Sequence, residues 1–155
     1  MTLSILERRR VEAEILKHVY DVISQMHGET AAKAVLEATA KRAAIEYGKT
    51  MRQTVDRAPG LTDLAAILPN WAAGDAITIE FLQLSADQLH FNITRCRYAE
   101  MYHELGLGEL GQLLSCSRDG AFCQGYNPAI ELERSQTIMQ GAEHCDFRYT
   151  LKTES

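Results

Sequence analysis

The chain has 155 residues, of which 46% are hydrophobic and 24% charged, with 10 glycines and 3 prolines. That length suits one domain with a core of its own, and the composition is too apolar and too poor in glycine and proline for disorder. A net charge of −5 argues against a nucleic-acid binder, whose footprint is a basic surface.

No window approaches the roughly 18 apolar residues of a membrane span. The opening segment turns charged at Glu7 and Arg8 before an apolar run of signal-peptide length develops. A cytoplasmic protein with reduced thiols is therefore expected, with no membrane partner, and the sequon at Asn92 to Thr94 is accidental.

Residues 3 to 27 read as an amphipathic helix, with Val11, Ile15, Val19, Val22, Ile23 and Met26 at three- and four-residue steps and Gly28 as its stop. Arg8, Arg9 and Arg10 stand beside Glu7, Glu12 and Glu14 and read as a solvated face. A second helix runs from about Glu29 to Met51. Its alanines (Ala31, Ala34, Ala38, Ala43, Ala44) would let a partner approach the backbone closely. Arg57 to Gly60 is a loop, and Thr62 is the expected N-cap of a short helix ending near Pro69. Trp71 reads as a core or interface anchor.

The period then changes. Ile77 to Phe81 and Leu89 to Thr94 alternate around a turn at Ser85 to Asp87, which makes a hairpin. Helices follow over Tyr98 to Leu105 and about Glu109 to Phe122. Asn127 and Pro128 break the second, and a further hairpin is expected from Ile130 to Met139 and Cys145 to Leu151 around Gly141. The fold class is α+β: a helical part (1–73), then a part carrying the site (74–155), within one domain. A roughly four-stranded antiparallel sheet with helices packed on one face accounts for this order.

All four cysteines, Cys96, Cys116, Cys123 and Cys145, fall in the second half. Cysteine is kept more for reactivity than for packing, so the clustering points to a local chemical task. Cys116, Asp119 and Cys123 share one helix face. A carboxylate one turn from a thiol can take its proton, but it disfavours thiolate, so a cation must stand near if Cys116 is a nucleophile. Arg95, Arg97, Arg118, Arg148 and His144 are the candidates. Gly120 suggests close approach of a ligand or backbone, because glycine inside a helix costs on the order of 1 kcal/mol.

Strand alternation puts Cys145, Phe147, Tyr149 and Leu151 towards the helices. His144 is either turned away or, if the strand starts after it, a base at the site. His90, Asn92, Thr94 and Cys96 fall on one face of their strand. That row either floors a pocket, with Asn92 and Thr94 touching substrate, or is a solvated face. Gly106, Gly108 and Gly111 match a dinucleotide-binding spacing but follow a helix rather than a strand, so a helix–helix turn is expected. Gaps of 19, 6 and 21 residues between the cysteines lack the close pairs of a zinc motif. No cofactor is expected. The alternative is a zinc site assembled by the fold from Cys96, Cys116 and Cys145, with Asp119 or His144 near the fourth position.

Asn92-x-Thr94-x-Cys96-x-Tyr98-Ala99, Glu104 to Gly106, Cys116-x-x-Asp119, Gly125 to Pro128 and the closing run Gln136-Thr137 to Arg148 together resemble the L-2-amino-thiazoline-4-carboxylic acid hydrolase family over roughly residues 60 to 152. The resemblance implies a small hydrolase that opens a five-membered cyclic amidine or lactam at a carbon–nitrogen or carbon–sulfur bond. It carries over Cys96, Cys116, Asp119 and Cys145 as site residues and leaves Cys123 as a structural cysteine. The namesake substrate has a carboxylate, for which Arg97 and Arg148 are the expected partners. A reading from another class is a non-enzymatic sensor of a small molecule or metal. The helix pair carries more apolar surface than the sheet can cover, with Leu3, Ile5 and Leu6 beyond the main stripe, so a homodimer or higher homo-oligomer is expected.

Overall fold

The computed structural model describes residues 2–152. Helix α1 (Ile5–His27) begins at a capping box: the Ser4 hydroxyl accepts from the Glu7 amide and the Glu7 carboxylate accepts from the Ser4 amide. Gly28, at φ 92°, ends it and turns the chain directly into α2 (Glu29–Arg52). Helix α3 (Leu61–Trp71) is capped at Gly60 and not at Thr62. The Asp63 carboxylate accepts from the Gly60 amide at 2.7 Å, which anchors the first turn two residues earlier than expected. The helix also continues through Pro69 by one further half-turn.

Strands β1 (Ile77–Leu84) and β2 (Gln88–Cys96) form the first hairpin, followed by α4 (Arg97–Glu104). Helix α5 (Gly108–Gly111) runs through a π-helical turn at Gln112–Cys116 into α6 (Arg118–Tyr126), and Asn127 ends the run. Gly106, at φ 75°, makes the helix–helix turn before α5. Strands β3 (Ile130–Glu133) and β4 (Cys145–Leu151) complete an antiparallel sheet of order β1-β2-β4-β3.

Strand β3 is shorter than the expected Ile130 to Met139. After Glu133 the chain leaves the sheet, because the Asp146 carboxylate accepts from the amides of Ser135 and Gln136, both at 3.0 Å. Thr137 then caps a 3-10 turn at Ile138–Gln140. The residues expected to extend the strand instead form a loop folded back towards α5.

Leu89, Phe91 and Ile93 of β2 and Cys145, Phe147 and Tyr149 of β4 are buried on one sheet face, against α3 and α6. Phe91 and Phe147, opposite each other in the register, stack at 4.8 Å between centroids. A second apolar cluster gathers α1, α4 and α5 around Ala13, Tyr102 and Leu110. Helix α2 approaches α6 backbone to backbone at Gly48 and not through the alanines expected to allow it, of which Ala34, Ala38 and Ala43 are exposed. A Cβ at Gly48 would lie 2.3 Å from Phe122 O, and one at Gly125 would lie 2.0 Å from Ile45 O. Gly120, by contrast, faces open space, so no close approach accounts for it.

The phase of α1 departs from the expectation at four of the six stripe residues, Val19 and Ile23 being at least partly covered. Ile5, Leu6, Leu16, Val19 and Tyr20 pack against the second cluster, while Val11, Ile15, Val22 and Met26 each stand more than half exposed. Among the described residues, no helix is long and apolar enough to cross a membrane.

Candidate functional site

A cavity of about 110 Å³ lies at the seam between the two apolar clusters. The sheet supplies one wall: Ile77, Phe91, Ile93, Cys96, Cys145 and Phe147. The π-helical turn and the start of α6 supply Ser115, Cys116, Arg118 and Asp119. Helix α1 supplies Ile5 and Arg9, one turn apart, and Ala44, Tyr47, Trp71, Tyr98 and Arg134 close the rest. The structure therefore brings together Cys96, Cys116, Asp119 and Cys145. Cys123 lies in the core beyond them, its thiol directed at Asp119 O, and lines no part of the cavity.

Cys96 reaches this wall by a route that simple alternation misses. Ile77 pairs with Cys96, Thr78 with Arg95 and Ile79 with Ile93, so Thr94 is an extra, unpaired residue in β2. This bulge reverses the side-chain parity beyond it. It moves Cys96 off the face of His90 and Asn92 and onto the cavity side. The row of His90, Asn92 and Thr94 stays on the outer face, so it does not floor the pocket, and neither Asn92 nor Thr94 lines the cavity. Arg148 is also on that face, where its guanidinium donates to Phe91 O and Asn92 Oδ1 and ties β4 to β2. His144 precedes β4, is held by the Gln136 side chain, and lies outside the cavity lining. Arg97 donates to Gly74 O and lines a separate surface cleft between α1 and α4.

Arg134, Arg9 and Arg118 bring positive charge into the cavity instead. Arg134 donates to Asp119 Oδ2 at 2.7 Å and to Cys116 O at 3.0 Å, and its guanidinium lies 4.9 Å from the Phe147 ring centroid. Asp146, one residue from Phe147, fixes the Ser135–Gln136 backbone and so holds Arg134 at this reach. Arg118, expected among the possible cations, donates its Nε to Leu114 O at 2.7 Å and lines the cavity. Arg9 turns inward from a run that reads as solvated. Its signal was present: Ile5, Arg9, Ala13, Leu16 and Tyr20 trace the inward face of α1. Arg134 had no such signal, being 15 residues from Asp119 in sequence.

The π-helical turn sets the position of Cys116. Ser117 N donates to Gln112 O at 2.9 Å, an i to i+5 bond that widens the turn and re-aims the residues at its end. The three cavity sulfurs differ in their commitments. Cys96 Sγ accepts from Ala99 N at 3.4 Å as the cap of α4, and Cys145 Sγ accepts from Ile138 N at 3.2 Å. No hydrogen bond holds the Cys116 sulfur among the described residues.

Burial pushes the Cys96 thiol up to about 11, against the pull of the Ala99 amide. Burial and then the Asp119 charge raise Cys116 far above the ordinary thiol range, with Arg134 opposing them. Burial likewise raises Cys145. Desolvation raises Asp119 above the usual carboxylate range, with Arg134, Arg118 and Arg9 pulling the other way. The resting site thus holds neutral thiols beside a carboxyl whose proton affinity is increased. Among the described residues, no three His, Cys, Asp or Glu side chains converge closely enough to hold a metal ion.

Comparison with curated proteins gives no match. Among solved structures, the phenol-responsive sensory domain of the transcription activator PoxR with phenol is similar at a TM-score of 0.53 and 11% identity, covering 95% of this chain and 76% of that one. A trafficking protein particle complex subunit 3 from Naegleria fowleri, covalently bound to palmitic acid, is similar at 0.53 and 10% identity, covering 94% and 96%. At such identities the likeness concerns the fold. A family model matches residues 8–149, taking in the N-terminal helices as well as the cysteine-bearing half, so the chain belongs to the L-2-amino-thiazoline-4-carboxylic acid hydrolase family.

Proposed function

We propose that this chain hydrolyses a small five-membered heterocycle, a cyclic amidine or lactam related to 2-aminothiazoline-4-carboxylate, by a thiol-dependent route in this cavity. One observation carries the reading: Cys116, whose sulfur has no hydrogen bond among the described residues, lines the same cavity as Asp119, whose carboxylate Arg134 holds. The Cys116 thiol attacks the ring carbon between the heteroatoms while Asp119 takes its proton. The ring carbon–heteroatom bond breaks as Asp119 returns that proton to the leaving nitrogen or sulfur. Water then adds to the S-linked carbon, and the carbon–sulfur bond to Cys116 breaks to restore the thiol. A carboxyl of raised proton affinity suits both transfers. Arg134 orients it and limits the charge change, and Cys96 and Cys145 shape the wall opposite.

The test is loss of ring absorbance with 2-aminothiazoline-4-carboxylate and a panel of cyclic amidines and lactams. Wild-type protein should turn over at least one of them, and Cys116→Ser and Asp119→Asn should each lose most of that activity. Undiminished turnover in Cys116→Ser would overturn the assignment.

A second reading draws support from the fold shared with a sensory domain that carries phenol: the cavity binds a small molecule without turning it over. Tight binding across the same panel with no product from any member would favour it.

A further inference from the structure

We propose that Arg9 and Arg118 form an anion subsite at the α1 end of the cavity, which seats the carboxylate of the ligand. This rests on the reading of the cavity as the substrate site, and it is carried by the balance of charge there. Three arginines line the cavity, Arg9, Arg118 and Arg134. Arg134 is fully engaged, with Asp119 Oδ2, Cys116 O and the face of Phe147 around it. Arg9 and Arg118 share a single counterion. Glu12 Oε2 lies 3.0 Å from Arg9 Nη1 and 3.7 Å from Arg118 Nη2. Three positive charges against the two carboxylates of Asp119 and Glu12 leave one positive charge uncompensated among the described residues.

That excess is not dispersed into solvent. The Arg9 and Arg118 side chains are only 13% and 15% exposed, whereas Glu12, at 43%, stands on the solvent side of the pair. Two guanidiniums held close together and largely out of water repel each other, and the proton affinity of Arg118 falls through burial and then through Arg9. A mostly buried, unpaired charge is unfavourable unless something completes it. An anion entering from the cavity would do so, because both residues line it and Glu12 does not. A planar carboxylate matches the donor geometry of the guanidinium forks. Helix α1 is thereby part of the binding site, with Ile5 lining the wall one turn before Arg9.

The test compares acids with their neutral carboxamides by titration calorimetry: 2-aminothiazoline-4-carboxylic, thiazolidine-4-carboxylic and pyrrole-2-carboxylic acid, each against its amide. At least one acid should bind wild-type protein on the order of ten- to a hundredfold more tightly than its amide, the range of a charge-assisted hydrogen-bonded contact. Arg9→Gln should weaken the acid and leave the amide unchanged, and Arg9→Lys should restore part of the preference. The Arg9 side chain donates only to Glu12 among the described residues, whereas Arg118→Gln also removes the contact to Leu114 O, so Arg9 is the cleaner position, and circular dichroism of Arg9→Gln checks that it folds. Cys116→Ser should keep the preference. Equal binding of acid and amide, a preference that survives in Arg9→Gln, or no binding of any acid would overturn the subsite. Acid-selective binding without turnover would instead remove the hydrolase reading and leave the subsite standing.

Discussion

Arg134, one residue beyond β3, donates to the Asp119 carboxylate at 2.7 Å and to the carbonyl of Cys116 at 3.0 Å, so one side chain joins the third strand to both ends of the Cys116–Asp119 turn. The pair is largely buried, at 11% and 23% side-chain exposure. Removing one partner leaves the other charged and unpaired. Arg134→Gln should therefore cost on the order of 3 kcal/mol in urea denaturation. It should also reduce kcat more than it raises KM, because Asp119 loses its orientation. Arg134→Lys should recover part of the stability and less of the rate, since an ammonium cannot span both acceptors. In Asp119→Asn the same Arg134 substitution should cost much less, and additive losses would show that the two act independently.

How much of this was legible in the sequence depends on how local each signal was. The β2 alternation of Leu89, Phe91 and Ile93 and the β4 alternation of Cys145, Phe147 and Tyr149 read directly, because a half-buried strand records its faces in period two. Cys96 did not, because the Thr94 bulge reverses parity without any glycine or proline to announce it. The α1 helix was legible but its phase was not. Both of its faces carry apolar residues, and the inward one contains Arg9, which pattern reading assigns to solvent. Cys116 and Asp119 could be paired by helical spacing, whereas Arg134 and Asp119 meet only through the tertiary fold. Asp146 and Arg148 sit in the closing motif beside Cys145 for structural reasons: one fixes the loop that carries Arg134, the other ties β4 to β2.

The α2–α6 contact makes a sharp contrast among glycines. Gly48→Ala and Gly125→Ala would each drive a methyl group into backbone on the facing helix, and each should destabilise by about 1–3 kcal/mol, the usual cost of overpacking. Because α6 begins at Arg118 and Asp119, a shift there should also lower activity. Gly120→Ala meets nothing, lies in a helix and is exposed. It should stabilise the protein by roughly 1 kcal/mol. Thermal unfolding of the three variants, side by side, checks the ordering.

The buried thiols set an alkaline limit on stability. Cys96 moves from an ordinary 9.0 to about 11 in the folded chain, chiefly by burial. The folded state therefore holds this proton more tightly than the unfolded one. The stabilising contribution is complete below about pH 9 and is lost as pH rises towards 11. Cys116 and Cys145 shift in the same direction. Denaturation midpoints measured from pH 7 upward should fall steeply above about pH 9, and Cys96→Ala should flatten part of that fall. A wild-type profile that is level to pH 11, or a Cys96→Ala profile of unchanged slope, would count against the burial of these thiols.

The outward stripe of α1 predicts self-association. Val11, Ile15, Val22 and Met26 are exposed and, at 3.6 residues per turn, fall within an arc of about 60° along the helix. Isolated exposed apolar residues are ordinary, but a continuous row over four turns is the pattern of an interface. A second copy of the same stripe would bury it symmetrically about a two-fold axis, with no residue of the cavity needed at the contact. Arg9 lies about 130° round the helix from the centre of this stripe, so the interface and the cavity would brace α1 from different faces. Light scattering at micromolar concentration should report twice the 17.4 kDa chain mass. Ile15→Lys should shift the protein to the monomer, because a charge at the centre of the stripe cannot be buried against its own copy. Acid-selective ligand binding should survive that substitution if the monomer keeps α1 in place. A wild-type mass near 17.4 kDa throughout would show that the stripe does not pair with itself.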